Sequence, residues 1–241
     1  MSQEITNEEK AQLLIDYMHR IMMHHAMWYM EATRQLGQDK AVSILWDAYQ
    51  RSYDIQMKRL SKILGFEMQN SIPKPLLDLP DDTLESLKNA IAVNWLANDG
   101  VWFQAIETSH SMTEAKSCND ACWARFSPFE ANSIKRLISL EDQPGLDGLK
   151  QALQFRLYAS INKQSIIHES DNSFIFQMNE CRVQYARKKK GLADYPCKSA
   201  GIIEYPSFAS TIDSRIQTEC IGCPPDDHPD DWYCAWRFTL P

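Results

Sequence analysis

The sequence predicts an α+β protein, with helices in its first part and a small antiparallel sheet in its last part. Up to about residue 163, apolar residues recur at three- and four-residue intervals, which is the spacing of one helix face. After Ser173 the period becomes two, since Phe174, Phe176 and Met178 alternate with other residues as they do in a strand. We therefore expect a helical region at residues 1–143 and an α+β, cysteine-rich domain at residues 144–241.

A helical hairpin is predicted at residues 7–66. Asn7 is a suitable N-cap because two glutamates follow it in the first turn. Gly37 should end the first helix and Gly65 the second. The segment at residues 72–82 contains three prolines and predicts a linker or crossing loop.

A second hairpin, at residues 84–140, resembles the first. Trp28 and Trp102 occupy corresponding places, and so do Trp46 and Trp123. This correspondence favours an internal duplication of a helical hairpin. The alternative is two ordinary amphipathic hairpins whose residues match by chance.

Further elements are predicted in the last hundred residues. Leu146 to about Lys163 should form one helix, and Lys198 to about Ile212 should form a helix that is interrupted or bent at Pro206. Strands are expected at residues 173–179, 216–220 and 234–240.

Charge and composition limit the classes of partner. The net charge of −7 argues against general binding to nucleic acid or to an anionic membrane, because phosphate-directed affinity needs an excess of basic residues. No stretch reads as a signal peptide or a membrane span. We therefore expect a cytoplasmic protein with a small-molecule ligand, and a homodimer stays open as its assembly.

Five of the seven cysteines lie in the last quarter of the chain, and they are the strongest functional signal. Cys220 and Cys223 have the two-residue spacing with which two thiolates can converge on one ion. Cys181, Cys197 and Cys234 supply further thiols. The cluster predicts a zinc site or an iron–sulfur cluster, with a redox pair and simple core filling as the alternatives.

Several other residues are candidates for chemistry. Arg182 or Arg187 could bind a carboxylate with two parallel hydrogen bonds, and the nearby positive charge would favour the thiolate form of Cys181 or Cys197. His25 on the first helix is a candidate acid, base or ligand, and His228 is a candidate metal ligand. We predict Cys181, Arg182 and His25 as catalytic residues.

A ligand pocket is expected where aromatic and cationic residues meet. Trp28, Trp102 and Trp123 offer more aromatic surface than a simple bundle needs. Together with Arg182 and Arg187 they predict a pocket for a small acidic molecule.

The cysteine motifs also carry a family resemblance. The segments are Cys181-Arg182-Val183-Gln184, Pro196-Cys197-Lys198-Ser199, Cys220-x-x-Cys223-Pro224-Pro225-Asp226 and Tyr233-Cys234-Ala235-Trp236. They resemble an uncharacterised family of bacterial and archaeal cytosolic proteins that is similar to the L-2-amino-thiazoline-4-carboxylic acid hydrolases and, more distantly, to the 4-vinyl reductase domain. The hydrolase resemblance implies the opening of a ring that contains sulfur and nitrogen. The reductase-domain resemblance implies an α/β module that binds a small molecule and carries a metal-binding cysteine cluster.

Two functions follow from these observations. The first is a metal-dependent enzyme, in the simplest case a hydrolase, in which zinc with an open position activates water. The second is a non-catalytic sensor module in which the metal has a structural role. The same residue types serve both, so the sequence does not separate them.

Overall fold

The computed structural model describes residues 5–189, 191 and 193–241, and the chain divides into two compact units, Met1–Leu79 and Pro80–Pro241. The described part is α+β, with long helices and antiparallel sheets. The helices are α1 (Asn7–Leu36), α2 (Gln38–Leu64), α3 (Lys74–Leu77), α4 (Asp81–Ser109), α5 (Met112–Leu137), α6 (Gly145–Gln154), α7 (Arg182–Lys188) and α8 (Lys198–Ile212), with a 3-10 turn at Leu157–Ser160. The strands are β1 (Met68–Gln69), β2 (Ile72–Pro73), β3 (Lys163–Ser170), β4 (Ser173–Glu180), β5 (Gln217–Gly222) and β6 (Cys234–Thr239).

The first unit contains the α1–α2 hairpin and the short β1–β2 ribbon. Thr6 caps α1, one residue before the predicted cap, and it exchanges hydrogen bonds with Glu9 in a capping box. Gly37 has a φ of 84°, a backbone conformation that costs glycine little, and it separates the two helices. The predicted hairpin at residues 7–66 is therefore confirmed.

The second unit begins with the α4–α5 hairpin, which agrees with the hairpin predicted at residues 84–140. Ser111 caps α5 by accepting a hydrogen bond from the Glu114 amide. Helix α5 packs along α8, and Ser127 Oγ donates to the Glu204 carbonyl of α8 at 2.7 Å. Because of this packing, α4 and α5 belong to the same compact unit as the sheet, and the division falls at Leu79 rather than near residue 143.

The main sheet has the strand order β3-β4-β6-β5 and every neighbouring pair is antiparallel. Strands β4, β5 and β6 lie where the alternation predicted them. The helix expected from Leu146 to Lys163 is wrong in its second half, because α6 ends at Gln154 and β3 begins at Lys163. Strand β3 is an edge strand whose residues are mostly exposed, so it lacks the alternation by which its neighbours are recognised.

One face of this sheet packs against α6 and α8 to form the hydrophobic core. Trp236 is 1% exposed and stacks on Tyr205 of α8, with ring centroids 4.6 Å apart. Phe174, Phe176 and Phe238 complete the buried face. Pro206 lies inside helix α8 and does not interrupt it, although a break or a bend was expected at this proline.

The other face carries an ionic ladder. Arg237 of β6 donates to both carboxylate oxygens of Glu169 on β3, with Nε–Oε2 at 2.8 Å, and through Nη1 to Glu219 on β5 at 2.5 Å. Ile175 of β4 is the residue paired with Arg237 across the ladder. These contacts link the two edge strands across the centre of the sheet.

No helix in the described part of the chain has both the length and the apolar content that crossing a membrane requires.

Candidate thiol centre

The five C-terminal cysteines gather where one end of the sheet meets the start of α8. Cys181 follows β4 and precedes α7, and Cys197 is the N-cap of α8. Cys220 lies in β5, Cys223 follows that strand, and Cys234 begins β6. All five are free thiols, and they join or line the hydrophobic core. The structure therefore brings together residues that span more than fifty positions of the sequence.

Cys223 is the central thiol of this group. Its Sγ lies 3.5 Å from Sγ of Cys197, and it also makes a side-chain hydrogen bond with Cys234. A disulfide would require about 2.05 Å, so the Cys197–Cys223 contact is between two separate sulfurs. The close pair is thus Cys197–Cys223, in contrast to the sequence-adjacent pair Cys220–Cys223 that the spacing suggested.

The thiols differ in how readily they ionise. A hydrogen bond from Cys223 lowers the pKa of Cys197, while hydrogen bonds to Cys197 and Cys234 raise the pKa of Cys223. Burial raises the pKa of Cys181 to about 12. A thiol of this kind stays protonated at neutral pH, which argues against Cys181 as an unaided nucleophile.

The surroundings hold these cysteines in place. Gln184 donates through Nε2 to the Tyr195 carbonyl at 2.9 Å and to Cys197 Sγ at 3.6 Å, so it ties α7 to the start of α8. Lys198 binds both oxygens of Asp226, which in turn accepts from the Cys223 amide.

Gly201 brings α8 close to the sheet beside Cys223. A Cβ at this position would lie 2.7 Å from Cζ2 of Trp236 and 3.7 Å from Sγ of Cys223. Because real Cβ atoms do not approach so closely, the helix can take this position only with glycine here.

The thiols are near one another without forming a finished coordination sphere. Within the described residues, no group of three or more His, Cys, Asp or Glu side chains is placed to hold a metal ion. Cys220 is half-buried in β5; burial raises its pKa, and the charge of Lys198 opposes that effect.

The other predicted site residues have the following surroundings. Arg182 is exposed on α7, and Arg187 donates through Nε to the Ala193 carbonyl at 2.7 Å. His25 is exposed on α1. Both ring nitrogens of His228 have partners, the Pro229 carbonyl at 2.8 Å and Asp194 at 2.9 Å.

The three tryptophans of the expected pocket differ in burial. Trp28 is 68% exposed and Trp102 is 60% exposed, whereas Trp123 is buried. Trp95, seven residues before Trp102 on α4, packs against Trp123 of α5, with ring centroids 6.0 Å apart.

A buried ion triad lies beside the thiols, and the sequence analysis missed it. Arg156 donates through Nε to Glu130 at 2.9 Å and through Nη2 to Glu204 at 2.6 Å, and all three side chains are buried. Burial acts to lower the pKa of Arg156, and the two carboxylates outweigh it and raise that pKa. Glu204 lies within an apolar stretch of α8, and that contrast is the one sequence signal that could have pointed to it.

Comparison with known proteins gives one match. A family model described as "Family of unknown function (DUF6125)" matches residues 77–240, which is most of the chain and includes every residue of the thiol group. No curated protein and no solved structure matches.

Proposed function

The chain belongs to the DUF6125 family, and we propose that it binds a zinc ion through the thiols of Cys181, Cys197, Cys223 and Cys234. The 3.5 Å contact between the sulfurs of Cys197 and Cys223 is the observation that carries the proposal. Two thiolates that bind one zinc at about 2.3 Å in a tetrahedron lie about 3.8 Å apart. The contact therefore has nearly the length of one edge of a zinc–thiolate tetrahedron.

The other two ligands are assigned by their neighbours. Cys234 shares a hydrogen bond with Cys223, which supports Cys234 as the third ligand. Burial and, to a smaller extent, the neighbouring Cys234 and Cys197 raise the pKa of Cys181, and this proximity supports Cys181 as the fourth ligand. Rotation of these two side chains would complete four ligands, and the proposed set leaves out Cys220 of β5.

A single ion fits this arrangement better than an iron–sulfur cluster. The irons and inorganic sulfides of a cluster stand between the ligating cysteines, so they hold those sulfurs further apart than one ion does. Sulfurs in direct contact favour zinc.

A shell of four thiolates is closed, which favours a structural role. The ion would join α7, α8 and β6, and it would supply folding free energy because the site forms only in the folded chain. The hydrolase activity that the resemblance implies stays a prediction. It would require one thiol to leave the shell, so that water could take its position.

The test is metal analysis of protein purified under reducing conditions with zinc supplied. We expect about one zinc per chain. Cys223→Ser should lose most of the zinc and should unfold at a lower temperature. The matched control is Cys118→Ser, which changes an exposed cysteine of α5 and should keep both zinc and stability.

Two results would overturn the proposal. One is protein that stays free of zinc although it is folded and reduced. The other is a brown protein that absorbs near ~400 nm and contains iron, which would replace zinc by an iron–sulfur cluster.

A further inference from the structure

Helix α1 carries an apolar stripe that is largely exposed to solvent. The residues of the stripe recur at alternating intervals of four and three positions, so they lie on one face of the helix. Its four large apolar side chains are each between 53% and 68% exposed. This face is called the α1 stripe below, and its members are Leu14, Met18, Ile21, His25, Trp28 and Ala32.

The apolar faces of the hairpin are covered only near its turn. Ala32, at the turn end of the α1 stripe, is half-buried, whereas the members further from the turn are exposed. Helix α2 shows the same change along Val42, Tyr49 and Ile63, which share one face because multiples of seven residues separate them. Val42 is buried beside the turn, and Tyr49 and Ile63 are exposed. Each helix thus leaves open the part of its apolar face that lies away from the turn.

The charged side chains in the middle and last part of α1 lie outside the stripe and pair within the helix. Arg20 forms an ion pair with Asp16, and Arg34 pairs with Glu31 at 2.6 Å. The polar face is therefore satisfied by its own residues. What lacks a partner is the apolar face.

The first unit has almost no hydrophobic core of its own. Among its described residues, 5–79, the buried apolar side chains are those of Ala41 and Val42. Helix α1 has 30 residues and none of them is buried. Ordering a residue costs about 1–2 kcal/mol of chain entropy, and helices in proteins are stabilised mainly by the packing of an apolar face. The hairpin therefore needs apolar surface that it does not contain.

The exposed apolar area has the size of one side of a protein–protein interface. The large side chains of the α1 stripe, the flanking Ile15 and Met22, and Tyr49 and Ile63 of α2 together expose roughly 1,000 Å², taking about 200 Å² for each free side chain. A stable dimer buries about 800 Å² on each partner. The largest apolar patch of a monomer usually covers only about 300–600 Å².

The charges favour a second copy of the chain as the partner. The first unit contains ten acidic and nine basic residues, so its net charge is −1, out of −7 for the whole chain. Two hairpins can therefore meet without strong repulsion, although the chain as a whole is acidic. A twofold interface uses the same face on both partners, and a pair of amphipathic helices completes a second such pair in a four-helix bundle.

We propose that the α1–α2 hairpins of two chains pack through the α1 stripe into a four-helix bundle, which makes the protein a homodimer. The alternation of four- and three-residue intervals is the spacing of helices that pack side by side in such bundles. His25 and Trp28, which the sequence analysis assigned to catalysis and to a pocket, then belong to the interface. The first unit contains no cysteine, so the inference does not depend on the zinc site.

The test measures the mass of the whole, reduced chain by sedimentation velocity at concentrations from about 1 to 100 µM. The parent should sediment as a dimer, at twice the 27.8 kDa of one chain. Met18→Glu should raise the dissociation constant of the dimer by about tenfold or more, because the twofold symmetry would bury two unpaired carboxylates.

Met27→Glu is the matched control. Met27 is 54% exposed on α1, and it lies nine residues from Met18, which places it on the opposite face of the helix. The change removes the same side chain and adds the same charge, and it should leave the dimer intact. Both methionines are exposed in the single chain, so both variants should keep the helical content of the parent, which circular dichroism measures.

Hydrogen exchange on the parent gives a measurement that needs no variant. The amides of residues 11–25 should exchange more slowly as the protein concentration rises, because the dimer protects α1. A parent that stays monomeric up to about 100 µM, equal effects of the two variants, or assemblies that grow beyond two chains would overturn the inference. Slow exchange in α1 that does not depend on concentration would also overturn it, because the stripe would then be covered within one chain.

Discussion

Replacement of Arg156 by methionine should be among the most destabilising single changes in the second unit. The guanidinium is 1% exposed and is the counterion of both Glu130 and Glu204. In Arg156→Met the two carboxylates stay buried without a cation. Breaking a buried ion pair in this way costs about 3–5 kcal/mol of unfolding free energy, a large part of the 5–15 kcal/mol that a domain typically has.

The assay is urea unfolding followed by tryptophan fluorescence at pH 7, with Arg125→Met as the control. Arg125 is exposed on α5 and hydrogen-bonds only its own helix at Ala121, so its loss should cost no more than about 0.5 kcal/mol. Adding Glu130→Gln and Glu204→Gln to Arg156→Met should recover part of the lost stability, because no charge is then left unpaired.

The pH dependence gives a second check with a definite sign. Burial already raises the pKa of Glu204 in the native protein, and without Arg156 this pKa should rise further above the unfolded value of about 4.3. The folded variant then binds more protons than its unfolded chain does, so lower pH favours its folded state. The loss of unfolding free energy relative to the parent, here called the deficit, should therefore shrink as the pH falls. A deficit below about 1 kcal/mol at pH 7, or one that grows on acidification, would refute the reasoning.

Two further changes follow from the packing and the caps. Gly201→Ala should cost about 1–3 kcal/mol of unfolding free energy and reduce zinc content, because the new methyl group meets Trp236. The control is Gly100→Ala, whose methyl group meets nothing within 4 Å and should stabilise α4. Equal effects of the two changes on urea unfolding would contradict the close approach of α8 to the sheet. Hydrogen bonds from Arg215 hold the pKa of Asp213 below its ordinary value, so the stability that Asp213 supplies is present above about pH 4 and is lost progressively as the pH falls further. Asp213→Asn should cost about 1–3 kcal/mol of unfolding free energy at pH 7, and it should make stability depend less on pH in the acidic range. If stability falls with acid as steeply in the variant as in the parent, Asp213 is not the cause of that fall.

The sequence predicted those helices and strands in which one buried face gives the apolar residues a regular spacing. Strands β4 and β6 show the alternation because one of their faces lies in the core. Strand β3 has no such pattern, since its exposure at the sheet edge lets polar and apolar residues occur on either face. The basic stretch that begins at Arg182 forms the short helix α7, an element that the sequence did not predict.

The sequence predicted which cysteines would gather, but it did not predict which of them would be in contact. The concentration of cysteines pointed to the right segment of the chain, and the structure gathers all five there. The close partner of Cys223 could not be read from spacing, because it is set by the packing of α8 on the sheet and by the irregular register of β5 between Cys220 and Gly222.

The ionic ladder of Glu169, Arg237 and Glu219 bears on how the sheet finds its pairing during folding. Sliding β6 by one residue along β4 would turn Arg237 towards α8 and turn Trp236 out to water. The same slip would leave both glutamates facing solvent without their cation. A misaligned hairpin thus loses its apolar contacts and its charge pairing in a single step, so the chain has little to gain from any neighbouring alignment. The ladder also ties down both outer strands, the positions from which a sheet could otherwise recruit a strand from another molecule.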